Sequence, residues 1–226
     1  MEFFNKKNQP PENKPKDYWR IREWFPEISE LEDNKLKSFN NELLKFNNGL
    51  NLVSEKTLPF ADAIHFSDSI LGCREIIRDA KPSSIVDIGI GNGFPAIVMA
   101  ILNKNIKILV IERESKKLEF MKHVCTHLKL ENIEFKLSNI ENIPPSSLDL
   151  VMMRGFSVIS KALLLLRKQV KKGGSIYMMK SEEWATEVAN IPSQLCTHWN
   201  PSLVGEYRLP VGEVKFAVVK LTKITD

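Results

Sequence analysis

The chain has 226 residues, enough for one sizeable α/β domain with an appendage, and its 43% hydrophobic and 27% charged content is ordinary for a globular protein. A net charge of +4 permits an anionic partner without requiring one. No apolar run approaches the roughly 18 residues of a membrane helix, no signal-peptide core is present, and three scattered cysteines argue against a disulfide framework. We therefore expect a cytoplasmic monomer with reduced thiols and no membrane partner.

The first third of the chain is predicted to be helical after a mobile leader. Residues 1–16 form the leader and residues 17–80 a helical N-terminal segment. One helix has an apolar face at spacings of three and four, made by Leu36, Phe39, Leu43, Phe46 and Leu50. The run Asn47-Asn48-Gly49 predicts a break in this helix. A further helix, "SDSILGCREIIRD", is expected to have Ser67 or Asp68 as its N-cap.

Residues 81–226 are predicted to form the α/β domain, with alternating strands and helices. The predicted strands "SIVDIGI", "KILVIE", "IEFKLS", "LDLVMMR" and "SIYMMK" are nearly continuous in apolar residues, and helical runs separate most of them. This pattern indicates a parallel sheet covered on both faces. At the end of the chain, "LVGEYRLP" and "VKFAVVKLT" flank the turn-like "PVGE" and predict an antiparallel pair at a sheet edge.

The first strand runs into three glycines at alternate positions, Gly89, Gly91 and Gly93, and a helix follows. Glycine accepts a positive φ and lets a ligand approach the backbone closely, so this unit predicts a nucleotide-type pocket. The dinucleotide fingerprint G-x-G-x-x-G does not fit because its sixth position is Phe94, and the P-loop lysine is missing. A tight turn without a ligand is the alternative.

Ligands of open α/β sheets bind at the carboxyl ends of the strands, so residues at those ends are the site candidates. Glu112 ends the second strand, 23 residues after Gly89, where an acidic residue accepts hydrogen bonds from ribose hydroxyls. Candidates after the later strands are Asn139, Ile140, Glu141, Arg154 and Lys180. The structural alternatives are a helix-start acid for Glu112, a loop charge for Glu141, a surface ion pair for Arg154 and a surface charge for Lys180.

S-Adenosylmethionine fits these candidates better than NAD, because it has no phosphate and needs neither the sixth glycine nor a lysine. Its ribose matches Glu112 and its adenine edge matches the loop after the third strand. Its aminocarboxypropyl group can lie against the glycine loop near Asp87. No metal is expected, because His123 and His127, at i and i+4 on one predicted helix, have no evident third ligand.

Several motifs resemble the GidB/RsmG family of bacterial methyltransferases, over roughly residues 36–220. They are "VDIGIGNGFP", "IERESKKLEFMKHVCTHLKLENIEF", "VMMRGFSVISKALLLLRKQVKKGG" and "MMK", with "LLKFNNGLNLVS" and "HFSDSI" in the N-terminal segment. The resemblance implies an α/β, Rossmann-like seven-stranded S-adenosylmethionine-dependent methyltransferase fold with an N-terminal helical segment. It also implies methyl transfer to N7 of a guanine in 16S ribosomal RNA, with that RNA or the small ribosomal subunit as partner.

The resemblance assigns cofactor binding to the residues matching Gly89, Phe94, Ile140, Glu141 and Arg154. Asp87, Gly91 and Glu112 complete the expected cofactor set. RNA contacts are expected at Lys180, at His65 and at Lys215, which stands where the family commonly has an Arg entering the last strand. The leader and its neighbourhood add Lys14, Lys16, Arg20 and Arg22. Packing of the helical segment against the sheet is the alternative role for His65 and Asp68.

The residues after the fourth strand, "RGFS", narrow the chemistry of the methyl acceptor. They lack the Asn/Asp-Pro-Pro-aromatic loop of adenine amino methylation and the cysteine of pyrimidine carbon methylation. Guanine N7 has a lone pair and no proton, so catalysis there reduces to positioning and needs no assigned base. Phe156 either stacks on a splayed base or packs in the core. A small-molecule or protein methyltransferase and a non-catalytic, cofactor-binding RNA-associated protein remain alternatives.

Overall fold

The computed structural model describes residues 19–89, 91–212 and 215–225. The predicted leader, with Lys14 and Lys16, lies outside the described residues. Within them, no helix is both long enough and apolar enough to cross a bilayer.

A seven-stranded sheet forms the centre of the molecule, in the order β3-β2-β1-β4-β5-β7-β6. Its strands are β1 (Ser84–Ile88), β2 (Lys107–Glu112), β3 (Ile133–Leu137), β4 (Leu148–Arg154), β5 (Val170–Ser181), β6 (Trp199–Arg208) and β7 (Lys215–Lys223). The first five strands pair in parallel, whereas β7 is antiparallel to both β5 and β6. The predicted α/β class and the antiparallel pair at the edge are confirmed.

Helices cover both faces of the sheet. They are α1 (Ile21–Trp24), α2 (Glu30–Leu50), α3 (Ser67–Ala80), α4 (Ala96–Leu102), α5 (Ser115–His127), α6 (Ile159–Leu166), α7 (Trp184–Ala189) and α8 (Ser193–Cys196). One hydrophobic cluster joins α2 and α3 to α4 and α5, and a second lies beneath α6 and α8. The N-terminal helical segment therefore shares a core with one face of the sheet.

The long helix α2 has the predicted apolar face, since Leu36, Phe39 and Leu43 are fully buried. The predicted break at 47–49 is wrong, because α2 continues to Leu50 and ends at Asn51, which adopts the left-handed conformation. The Asn47 side chain accepts a hydrogen bond from the Val53 N–H at 2.9 Å. Asn47 thus stabilises the chain just beyond the helix end rather than interrupting the helix.

The predicted N-cap of α3 is also wrong. A π-helical turn, Asp62–Phe66, runs directly into α3, so the chain is already helical at Ser67 and its amides need no side-chain cap. The Ser67 hydroxyl donates instead to the Asp62 carbonyl at 2.8 Å. The Asp68 carboxylate points inward and pairs with Arg154 at the end of β4.

The strand order reverses between β1 and β4, which pair directly at the centre of the sheet. Chains leaving two such strands diverge to opposite sides and leave a crevice at their carboxyl ends. The glycine loop after β1 and the loop from β4 to α6 border this crevice.

Candidate functional site

A cavity of about 760 Å³ opens at the carboxyl ends of β1, β2 and β4. Its walls come from the glycine loop, the turn after β2, the 3₁₀ turn Ile140–Asn142 and the loop before α6. Five of the predicted cofactor residues line it, namely Gly89, Gly91, Glu112, Ile140 and Glu141. A cleft of about 860 Å³ lies at the opposite edge, against strand starts such as Ser84 and Lys107, and has no glycine loop. The first cavity is therefore the candidate site.

Glu112 is the best-anchored polar side chain of the cavity. It is only 5% exposed, and its carboxylate accepts hydrogen bonds from three backbone amides: Gly91 at 3.1 Å, Arg113 at 2.7 Å and Glu114 at 2.9 Å. These bonds tie the glycine loop to the end of β2. A carboxylate offers about four lone-pair positions, so one remains for a ligand hydroxyl.

The glycine loop needs glycine for both conformation and space. Gly89 and Gly91 have φ of +69° and +49°. A Cβ on Gly89 would overlap the Phe156 ring, and one on Gly91 would press against Lys117 at 3.2 Å. Phe156 lies on the cavity wall and packs against the second hydrophobic cluster. At this position the Phe156 ring can both pack in the core and face a ligand in the cavity.

Asp87 does not line the cavity. Residues of a strand alternate between faces, and Asp87 lies on the face opposite to Ile88, on the side of the first hydrophobic cluster. It is fully buried, and within the described residues neither carboxyl oxygen meets a donor in good hydrogen-bond geometry. Burial raises the pKa of this carboxyl well above its usual value.

Phe94 also lies outside the cavity lining, with its side chain 1% exposed. Its ring packs within 5.5 Å, centroid to centroid, of Phe39, His65 and Phe66. The glycine loop makes a second contact with the N-terminal segment, because the Asn92 side-chain amide donates a hydrogen bond to the Leu52 carbonyl at 3.2 Å. The glycine loop is therefore anchored to the N-terminal segment, and any cofactor contact of Phe94 involves its backbone.

Arg154 is held by the N-terminal segment and does not line the cavity. Its Nε lies 2.5 Å from the Asp68 carboxylate, and its Nη2 donates to the Ile64 carbonyl at 3.2 Å. The Tyr207 hydroxyl donates to the other Asp68 oxygen at 2.7 Å. The structural alternative predicted for Arg154 is an ion pair at the surface, but its carboxylate partner, Asp68, is buried. The pair joins α3, β4 and β6 at the carboxyl edge of the sheet.

His65 lies inside this network, 8% exposed. Arginine can only donate, so the Nδ1 atom, 3.2 Å from Arg154 Nη2, accepts, and the Nε2–H donates to the Thr57 hydroxyl at 2.9 Å. Burial, with the Arg154 charge beside it, lowers the pKa of His65 to about 3. The ring is a neutral packing element, and its surroundings do not favour an RNA contact.

The two lysines predicted to contact RNA have different surroundings. Lys180 is largely buried and its ammonium is bonded within the protein. Lys215, at the start of β7, is exposed and lies directly opposite Arg208 of β6. Arg20, a candidate near the leader, pairs through two nitrogens with the Asp62 carboxylate at 2.8 and 3.0 Å. Of these three, Lys215 is the one with a side chain available at the surface.

His123 and His127 both contact α2. The His123 ring lies 2.7 Å from the Glu42 carboxylate, and the His127 ring 3.2 Å from the Ser38 hydroxyl. Within the described residues, no group of three His, Cys, Asp or Glu side chains is placed to hold a metal ion.

Several cavity residues were not predicted from the sequence. They include Arg113, Lys117, Lys161 and Leu165. Arg113 directly follows β2, whereas Lys117 lies on α5 and Lys161 and Leu165 lie on α6, beyond the strand ends to which the prediction is confined. A sequence signal could have found the wall formed by α6. Lys161 and Leu165 are four residues apart, so they lie on the same face of the helix that follows the strand.

A comparison with known families and proteins gives a consistent result. The family model described as "GidB: rRNA small subunit methyltransferase G" matches residues 32–203. A relative from Bdellovibrio bacteriovorus, named ribosomal RNA small subunit methyltransferase G 3, is 49% identical over 209 residues, covering 92% of this chain and 94% of its own. One from Borrelia duttonii, named ribosomal RNA small subunit methyltransferase G, is 34% identical over 149 residues, covering 66% and 70%.

Among solved structures, an S-adenosylmethionine-dependent methyltransferase from Aquifex aeolicus is similar with a TM-score of 0.53. The two sequences are 16% identical, and the match covers 81% of this chain and 98% of that one. At this identity the likeness shows the fold alone.

Proposed function

Because the chain belongs to the GidB family of ribosomal RNA small subunit methyltransferases, we propose that its cavity binds S-adenosylmethionine and that it methylates N7 of a guanine in 16S ribosomal RNA. One observation carries the proposal. The glycine loop, Glu112 and the turn Ile140–Asn142 come together in one cavity of a chain that belongs to this family. Ribosomal RNA as substrate implies action in the cytoplasm.

The residues of the cavity fit this cofactor. Glu112 offers a fixed carboxylate to the ribose hydroxyls, and Ile111, Ile140 and Leu165 supply apolar walls for the adenine. Glu141, beside Ile140, offers its backbone and side chain to the adenine edge. The glycine loop, where Gly89 and Gly91 leave the backbone bare, accommodates the aminocarboxypropyl group. When bound, the cofactor supplies a methyl group on a positively charged sulfur.

The chemistry required of the protein is positioning and exclusion of water. Guanine N7 accepts a methyl group through its lone pair and loses no proton, so no general base is needed. The carboxylate of Glu112 is already bonded to three backbone amides, and His65 is buried and bonded on both ring nitrogens. Both groups are committed to structure, which agrees with an acceptor that needs only orientation.

RNA binding is assigned to the exposed cationic pair of Arg208 and Lys215. These residues are directly opposite on antiparallel strands, and like charges in that position repel. Neither has an ion-pair partner in the part of the chain that the structure describes. They lie at the carboxyl end of β5, the edge that also holds the cavity. A bridging phosphate of the RNA backbone would offset their repulsion.

The test is methyl transfer in vitro from labelled cofactor to small subunits from a strain in which the gene is deleted. Digestion of the ribosomal RNA and mass spectrometry should yield N7-methylguanine in 16S RNA. Label recovered in protein or in a small molecule instead would support the second enzyme alternative. Cofactor binding without any transfer to naked RNA or to subunits would support a non-catalytic protein.

A further inference from the structure

Lys180 lies at the end of β5 on the sheet face that packs against α6, and its side chain is only 12% exposed. Its ammonium lies 2.7 Å from the Glu187 carboxylate and donates to the Ser157 carbonyl at 3.1 Å. Both partners are internal to the chain. Two of the three donors of the ammonium are thus used within the protein, and its charge is neutralised by Glu187.

Glu187 extends the contact to a second backbone group. The same carboxylate oxygen that meets Lys180 accepts a hydrogen bond from the Ile159 N–H at 2.8 Å. Ile159 begins α6, and Ser157 lies two residues earlier. Lys180 and Glu187, from here on the loop clamp, thus bond the carbonyl of one residue and the amide of another at the end of the loop between β4 and α6.

This loop, residues 155–158, is part of the cavity wall. Gly155, Phe156 and Ser157 line the cavity, and the Phe156 ring lies against Gly89 of the glycine loop. At its other end, the loop starts from Arg154, which Asp68 and the Ile64 carbonyl hold. The loop is therefore anchored at both ends, and the loop clamp is the anchor on the α6 side.

We propose that Lys180 and Glu187 are positioning residues that hold the loop of residues 155–158, and with it Phe156, against the cavity. The proposal rests on the proposed function, because methyl transfer requires the cofactor and the target guanine to be correctly placed relative to each other. Holding the loop would maintain that placement. Lys180 then acts through the loop and contacts neither the RNA nor the cofactor. Its charge is neutralised by Glu187 in a largely buried site, where such a pair is sensitive to the loss of one partner.

The experiment compares the variants Lys180→Met, Lys180→Arg and Glu187→Gln with wild type. The matched control is Lys171→Met, which removes another ion-paired lysine of β5. Lys171 lies at the opposite end of β5 from Lys180, and its partner Asp149, on β4, is exposed. Four quantities are measured: hydrogen exchange of residues 155–159, cofactor affinity by calorimetry, single-turnover methylation, and the salt dependence of RNA binding.

We expect Lys180→Met to increase amide exchange in the loop and to slow single-turnover methylation, by up to about 10²-fold for a displacement near 1 Å. The RNA salt slope should stay at the wild-type value. Lys180→Arg should restore most of the rate, and Lys171→Met should change nothing. Glu187→Gln keeps an acceptor for Ile159 and should show a smaller effect in the same direction. The double variant Lys180→Met with Glu187→Gln should be no slower than Lys180→Met alone.

A salt slope lowered by about one unit in Lys180→Met, with unchanged loop exchange, would make Lys180 a phosphate ligand and overturn the proposal. Unchanged exchange and unchanged turnover in both Lys180→Met and Glu187→Gln would overturn it as well. Failure of the proposed function shows differently, as wild-type protein that does not methylate RNA. The exchange measurement still tests the loop clamp in that case.

Discussion

Gly89 combines a φ of +69° with a neighbour, the Phe156 ring, in the space that a Cβ would fill. A β-branched residue there is strained by roughly 1–3 kcal/mol and must also displace the ring toward the cavity. We expect Gly89→Val to lose most of its affinity for S-adenosylmethionine in calorimetry.

The control for Gly89→Val is Gly173→Val. Gly173 has a similar φ of +81°, but apart from its chain neighbours no atom of the described residues lies within 4 Å of its Cβ position. It therefore imposes comparable backbone strain away from the cavity and should leave cofactor affinity intact. Equal cofactor affinity in Gly89→Val and wild type would contradict the assignment of the glycine loop to the cofactor.

His65 makes stability depend on pH in a defined window. Its pKa is about 3 in the folded protein against 6.5 for the free side chain, so below pH 6.5 the unfolded chain binds a proton that the folded one does not. The free energy of unfolding should therefore fall as pH decreases from 6.5 toward 3, by up to roughly 1.4 kcal/mol per pH unit from this residue.

The measurement is urea unfolding of wild type and His65→Asn between pH 8 and 5. Asparagine keeps an oxygen near the position of Nδ1 for Arg154 but does not titrate. The two proteins should show the same slope above pH 7.5, and wild type the steeper loss below 6.5. Parallel curves throughout would mean that folding does not lower the pKa of His65.

At the scale of secondary-structure elements, the Asp68–Arg154 pair fastens α3 to the end of β4. The two side chains are 4% and 15% exposed. Asp68→Asn leaves the guanidinium without a compensating charge in the interior, which should lower the free energy of unfolding by about 3 kcal/mol. Equilibrium unfolding in urea measures this change.

Glu27→Gln provides the comparison for Asp68→Asn, because Glu27 and its partner Arg74 are 55% and 44% exposed. Surface pairs of this kind contribute at most about 1 kcal/mol. A loss in Asp68→Asn no larger than that in Glu27→Gln would show that the buried pair does not hold the N-terminal segment in place.

At the scale of the whole molecule, the proposed RNA surface lies at the carboxyl edge of the sheet. If Arg208 and Lys215 each neutralise one phosphate, changing both to alanine should reduce the slope of log affinity against log salt by about two units. Affinity should weaken evenly across RNA sequences, because phosphate contacts carry no sequence information.

The control for the RNA surface removes two lysines, Lys171 and Lys172, from the opposite end of β5, so the net charge changes equally. Filter binding over a range of salt should show the wild-type slope for this control, and cofactor affinity should be unchanged in both double variants. The same reduction of slope in both would mean that net charge, rather than a localised surface, attracts the RNA.

The sequence alone determined the order of the strands, and of the helices between β1 and β5, because those signals are local. β2 and β4 match the predicted "KILVIE" and "LDLVMMR" residue for residue, since apolar periodicity and strand length depend on neighbours along the chain. The glycine loop and Glu112 could also be assigned to one site from the sequence, because parallel strands bring their carboxyl ends to one edge of the sheet. The motifs also identified the family, which the comparison confirms.

Only the tertiary structure decided which partner each charged residue has. Arg154 pairs with Asp68, 86 residues earlier, and Lys180 pairs with Glu187 on a helix that was not predicted. A sequence shows that a charge exists, but the free energy of burying it depends on which distant group arrives beside it. For that reason the sequence predicts an RNA contact at Lys180, with a surface charge as the alternative, whereas in the fold its side chain is largely buried beside Glu187.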